Sequence, residues 1–247
     1  MADSIAPQLQ EKETIYGAGR CSPKIPTGSN SKMSMMFVMV SVYKVDAART
    51  IALYDAWTAQ WHRVAVPSAS HAAPADPFDA AVMLLHQANF ELWHEEDKAR
   101  DVDATDAEIA AAKRSIDRIN QRRNDRMEQC DTLLLEELAP QHLPNPTAEL
   151  HSETPGLMLD RLSILSLKHY HTIEEIERAD APRGHQERNR ERLMILESQR
   201  KDLASSLDLF WQQVMVGKRR FRLYRQLKMY NDPDLNPVLY RHPKHQM

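Results

Sequence analysis

An all-α fold, a single bundle of about five helices with long third and fifth members, is what this sequence predicts. Three observations carry that expectation. The chain is rich in Leu, Ala, Glu, Arg and Gln while holding only 6 Gly and 5 Phe, a balance that favours helix over strand. Apolar residues recur at helical spacing through five stretches. Between those stretches stand proline clusters, Pro67, Pro74 and Pro77 and later Pro140, Pro144 and Pro146, which break helices and mark loops.

Residues 1–45 fall outside that pattern and read as a disordered leader or a mis-assigned start, with a single helical domain over 46–247. Pro7, Pro23, Pro26, Gly17, Gly19 and Gly28 leave little apolar surface to offset ordering entropy. Met33, Met35 or Met36 is then the expected translation start. The apolar run Met33–Tyr43 falls well short of the roughly 20 residues a membrane span needs. No clean small-x-small cleavage site follows it, so a secretory signal is not favoured. Within it, Phe37–Val42 is the one candidate strand.

The first helix is expected over about Asp46–Arg63, with Ile51, Leu53, Tyr54, Trp57 and Trp61 as its apolar content. A second covers about Pro77–Arg100. The third opens on a capping box, Thr105-Asp106-Ala107-Glu108, and runs to about Leu138 behind the stripe Ile109, Ala112, Ile116, Ile119, Met127, Cys130 and Leu134. The fourth starts at Thr154-Pro155, a cap followed by proline where a missing N–H is harmless, and continues to about Arg178. Leu157, Met158, Leu159, Leu162, Ile164, Leu165 and Leu167 make it apolar nearly all round, which places it at the bundle centre. The fifth is expected from about His185 to Tyr230, with a bend at Gly217.

Net charge is −3 with 27% charged residues, and arginines alternate with acids, so no field points to nucleic acid or a membrane. Two cysteines, Cys21 and Cys130, exclude a disulfide framework and a four-thiolate zinc site; Cys130 reads as a small core residue, and a reducing cytoplasm fits. Zinc-type Cys/His spacing, a phosphate-cradling glycine loop and a nucleophile elbow are all missing.

The informative anomaly is polarity where helices should be apolar. On the second helix Val82, Leu85, Asn89, Leu92, Trp93 and Glu96 share one side. On the third, Asp117, Asn120, Gln121, Asn124, Glu128 and Asp131 flank the core stripe. The fourth aligns Asp160 with His171, beside Arg161 and Lys168. An unpartnered buried amide or carboxylate costs on the order of 1–3 kcal/mol, so such lines point to a polar site or to register-setting ion-pair networks. Glu128-x-x-Asp131 sets two carboxylates one turn apart, a spacing that shares a hard divalent cation such as Mg or Mn. It is similar to the paired carboxylates of helical NTP pyrophosphatases of the MazG type, with Glu96 or Asp97 as the other half. Glu91-x-x-His94 has di-iron spacing, but a second such motif is missing. At the C-terminus Arg219, Arg220, Arg222, Arg225 and Lys228 alternate with Phe221, Tyr224 and Tyr230, which fits either phosphate binding or a basic helix end.

The strings Leu85–Asp97, Ile116–Asp125, Glu153–Leu165 and Lys228–Pro233 together resemble a bacterial family catalogued as domain of unknown function 4254, from about Asp46 to the C-terminus. The resemblance implies a bacterial cytoplasmic protein, encoded near glycosyltransferases of the heptosyltransferase type, and brings no activity with it.

The expected function is a divalent-metal-dependent enzyme acting on a phosphorylated substrate, a nucleotide or nucleotide-sugar, in a polar cleft between helices. Glu96, Asp97, Glu128 and Asp131 are the candidate metal ligands for Mg or Mn. Asn89, Trp93, Asn120, Asn124, Arg161, Lys168, Tyr224, Arg225 and Lys228 are the candidate substrate contacts, with His94, Asp160 and His171 as catalytic candidates. The alternative is a non-catalytic binding or scaffold module serving a glycosyltransferase. The long helices permit a homodimer.

Overall fold

The computed structural model describes residues 44–63, 74–227 and 232–240. They form five long helices: α1 (Ala47–Arg63), α2 (Pro77–Lys98), α3 (Asp106–Leu138), α4 (Pro155–Glu177) and α5 (His185–Met215). A single 3-10 turn (Ala139–Gln141) follows α3, and α6 (Pro237–Tyr240) is one turn near the C-terminus. Residues 1–43 of the expected leader, its candidate strand at 37–42 and Lys228 lie outside the described residues; the leader's last two residues belong to the bundle instead, Val45 buried in the core and Lys44 paired with Asp76 at 2.9 Å. None of the described helices is long and apolar enough to cross a membrane.

Helix starts follow the local chemistry of the sequence. Asp76 caps α2 by accepting from the Phe78 and Asp79 amides, with Pro77 in the first turn. Thr105 and Glu108 satisfy each other's backbone amides reciprocally at the start of α3. Thr154 caps α4 through the Leu157 amide at 3.2 Å.

The fifth helix is shorter than the periodicity predicts. It stops at Met215, because Gly217 takes φ +70° and the Gly217 and Lys218 amides fold back onto the carbonyls of Val214 and Gln213. The chain then runs extended: β2 (Arg219–Arg220) pairs in parallel with β1 (Glu149–Leu150), two residues each. Phe221 leaves the turn to bury itself against Phe210. The basic C-terminal stretch is therefore not a helix end.

Central α4 packs against α1, α2, α3 and α5, as its all-round apolarity demands. The core is built on Tyr54, Leu85, Leu134, Leu159, Leu207 and Trp211. Cys130 is fully buried there, and burial pushes its thiol up, which makes it inert filling. At Gly156 the backbones of α3 and α4 touch: a Cβ there would lie 2.5 Å from the Met127 carbonyl and 2.9 Å from Asp131 Oδ1. The first is backbone, and the second is a buried carboxylate held by the Gly156 amide. Gly156→Ala is expected to destabilise the protein by about 3 kcal/mol, the upper end of overpacking costs. An unchanged urea midpoint would show that the two helices are not in contact.

Helix direction decides what meets what. His86 of α2 contacts Tyr54 and Thr58 of α1, while Phe90 and His94 contact His62, so α1 and α2 run the same way. Tyr54 also meets Leu159, and His62 meets Tyr170 and His171, so α4 runs that way too. The later turns of three helices therefore gather at one end of the bundle.

Candidate functional site

Two polar constellations lie along α4. The deeper one is a chain of hydrogen bonds through four helices. Arg123 of α3 grips Asp160 with Nε and Nη2, the Nε contact at 2.7 Å. Asn89 donates to the same carboxylate at 2.9 Å and to Ser163 Oγ at 3.0 Å. Ser163 then meets His86 Nδ1, and His86 Nε2 faces both the Tyr54 carbonyl and the Thr58 hydroxyl. Because a carbonyl only accepts, the His86 proton sits on Nε2, and the Ser163 hydroxyl donates to Nδ1. Burial pushes the His86 imidazole down to about 3, so it is neutral throughout the physiological range. Asn89, Asp160, Ser163 and His86 are all buried, and the network is satisfied along its length.

The second constellation is at the end of the bundle where the helices gather. His62, His94 and His171 each present a ligand atom, all within 4.8 Å of one another. His62 Nδ1 donates to the Thr58 carbonyl at 2.8 Å, and His171 Nδ1 to the Glu174 carboxylate at 2.8 Å. Both protons are thereby placed on Nδ1, which leaves bare lone pairs on the two Nε2 atoms. Those two atoms are buried without a hydrogen-bond partner among the described residues. His94 completes the group, with Asp97 at 3.9 Å from its Nδ1. Burial lowers the pKa of His94, and its two neighbouring imidazoles lower it further. Burial also lowers that of His171, partly offset by Glu174. Aromatic rings wall the cluster: Tyr170 stacks on His62, and Trp93 lies flat on His171 at 4.6 Å and 9°.

This donor set fits a metal. Orphaned buried acceptors cost on the order of 1–3 kcal/mol each, and a cation removes that cost. Histidine ligands oriented through their other nitrogen by a carboxylate or carbonyl are the usual outer shell of a metal site. A cleft of about 600 Å³ reaches the cluster through His62 and His94, and Lys98, Arg118 and Arg122 line its walls.

The expected site residues are distributed differently. His94 and His171, named separately as catalytic candidates, lie together with His62, which the sequence reading did not single out. The nearest sequence clue to it is a shared position late in a helix. The four candidate metal carboxylates do not converge. Arg122 with Glu91, and Glu95 with Ser115 and Arg118, set the register of antiparallel α2 and α3. That register puts Glu128 opposite Leu85, about 16 Å along the axis from Glu96. Glu96 pairs with Arg100. Glu128 holds Arg225 at 2.9 Å and the Gln226 amide at 2.7 Å, tying down the extended C-terminal segment. Asp131 caps α4 through the Gly156 amide at 2.7 Å. Only Asp97 borders the histidines.

Asp160 belongs to the buried network and not to the cluster. Arg161 pairs with Glu153, and with Lys168 it lines a separate cleft of about 750 Å³. Asn120 and Asn124 are half-buried on α3, and Tyr224 and Arg225 are exposed on the C-terminal segment. Asn89 and Trp93 both line a third cleft, against α4.

These features define an all-helical protein with a three-histidine cluster at one end of its bundle. The chain belongs to the family of proteins of unknown function DUF4254, whose model matches residues 79–223, more than half of its length. Neither a curated protein nor a solved structure matches it.

Proposed function

We propose that the protein is a divalent-metal-dependent enzyme acting on a phosphorylated substrate, with His62, His94 and His171 as the metal ligands. The observation that carries the reading is the pair of buried, unpartnered Nε2 atoms on His62 and His171, each held in the ligand tautomer by its other nitrogen. Nitrogen donors suit zinc or another late transition metal rather than the Mg or Mn that a carboxylate set implies. Three protein ligands leave a position for water or substrate, and a metal there would polarise a phosphoryl oxygen and supply hydroxide near neutral pH.

The chain's own residues supply the rest. Thr58 and Glu174 fix the imidazole orientations, and the carbonyl ends of α1 and α2 favour a cation. Arg118, Arg122 and Lys98 line the adjoining cleft with Glu91 and Glu95, and the N–H groups they do not spend on those acids offer donors to phosphate oxygens. The depressed pKa values of His94 and His171 keep both unprotonated at neutral pH, so protons compete weakly with a metal.

The test uses full-length protein stripped with EDTA. Zinc at about 100 times its Kd is expected to add about 2.7 kcal/mol of stability, magnesium none, and His62→Ala should lose the zinc response. Zinc-loaded protein should then release p-nitrophenolate from p-nitrophenyl phosphate faster than His62→Ala does. Equal rates would sink the enzymatic part, and a zinc response retained by the variant would sink the ligand set.

A further inference from the structure

We infer that the cleft between α2 and α4 binds a nucleobase that carries a ring carbonyl, stacked at Trp93 and read by Arg123. The inference deepens the proposed reading, resting on it only for the phosphate that such a ligand would bring. The cleft has a volume of about 400 Å³, within the range of small-molecule sites. Leu92, Ile164 and Leu167 give it apolar walls, and Trp93 forms the side toward the histidines. His171 lies flat on Trp93 but does not line this cleft, so the indole separates the histidine cluster from it. Aromatic stacking is the common protein device for holding a base.

Arg123 supplies selectivity. Its Nε and Nη2 are fixed on Asp160, so the guanidinium plane cannot swing. Nη1 donates to no described residue, and Arg123 lines the cleft beside Asn89. A fixed N–H pair with no partner among the described residues, in a cleft with apolar walls that Glu96, Asp97 and Arg100 also line, suits a carbonyl oxygen in the plane of a ring, the way arginine reads guanine O6. Adenine offers no ring carbonyl. A plain sugar phosphate offers no ring to stack.

The experiment is calorimetric titration of the full chain with UMP, GMP, AMP and ribose 5-phosphate, in EDTA so that no metal contributes. UMP or GMP should bind at least tenfold more tightly than AMP, and ribose 5-phosphate should not compete. Trp93→Ala should weaken binding about 5- to 150-fold, and Trp93→Phe, which keeps a ring against His171, should restore most of it. Absence of binding by all four compounds, AMP equal to UMP and GMP, or a Trp93→Ala variant binding like the parent would each overturn the inference. His62→Ala separates the two readings: it should lose the zinc response and keep nucleotide binding. Nucleotide binding that needs zinc and ignores Trp93 would overturn the base cleft while leaving the metal reading intact.

Discussion

Asp160→Ala is expected to destabilise the protein by about 3–5 kcal/mol, enough to consume much of the stability of an ordinary domain. The carboxylate is buried and accepts from Arg123 and Asn89. Removing it strands a guanidinium whose side chain is only 22% exposed, along with an amide that keeps one of its two acceptors. The cost comes from the uncompensated charge and not from the worth of the pair. Replacing both partners, Asp160→Leu with Arg123→Met, should therefore recover most of the loss. Urea unfolding of the two variants checks this. A single variant within about 1 kcal/mol of the parent would mean that water already reaches the pair.

That Asp160 is a structural anchor explains how far the sequence could be read. Helical periodicity located all five helices and singled out Asn89, Asp160 and Asp131 as polar groups on core-facing sides, and each is buried. A helical wheel reports the face on which a side chain lies, not the helix that lies opposite. Two acidic lines on α2 and α3 looked able to share a cation. The antiparallel register instead separates Glu96 from Glu128 and leaves Asp131 to cap α4. Arg123 was not singled out, yet it reaches inward to Asp160. The histidine cluster was half legible, through His94 and His171. His62 joins them only because α1 and α2 run parallel, and no spacing within the chain encodes that direction. The end of α5 was misplaced for a related reason: the apolar seam continues through Phe221, but Gly217 turns the chain and Phe221 reaches the core from an extended segment.

Acid should expose two buried groups that act in opposite directions. His86 has its pKa depressed from 6.5 to about 3 by burial, so the folded protein binds its proton far less readily than the unfolded chain. Its contribution to stability is present above pH 6.5 and falls by about 1.4 kcal/mol for each unit below, toward a total of about 5 kcal/mol near pH 3. Asp131 has its pKa raised from 3.8 to about 6, mainly by burial, against the hydrogen bonds from Thr154 and the Gly156 amide. Its native state binds a proton more readily than the unfolded chain. The associated stability is present below pH 3.8 and lost as pH rises through 6, about 3 kcal/mol in all. Between pH 6 and 4 the two slopes cancel in the parent protein. Asp131→Asn removes one of them, so its stability relative to the parent should drop by about 3 kcal/mol as pH is lowered from 7 to 4. His86→Gln should show the opposite trend, gaining on the parent as pH falls. Urea unfolding of the three proteins from pH 7 to pH 4 measures both differences. Parallel curves for the parent and Asp131→Asn would mean that Asp131 titrates as it does in the unfolded chain, and that its cap on α4 is exposed to solvent.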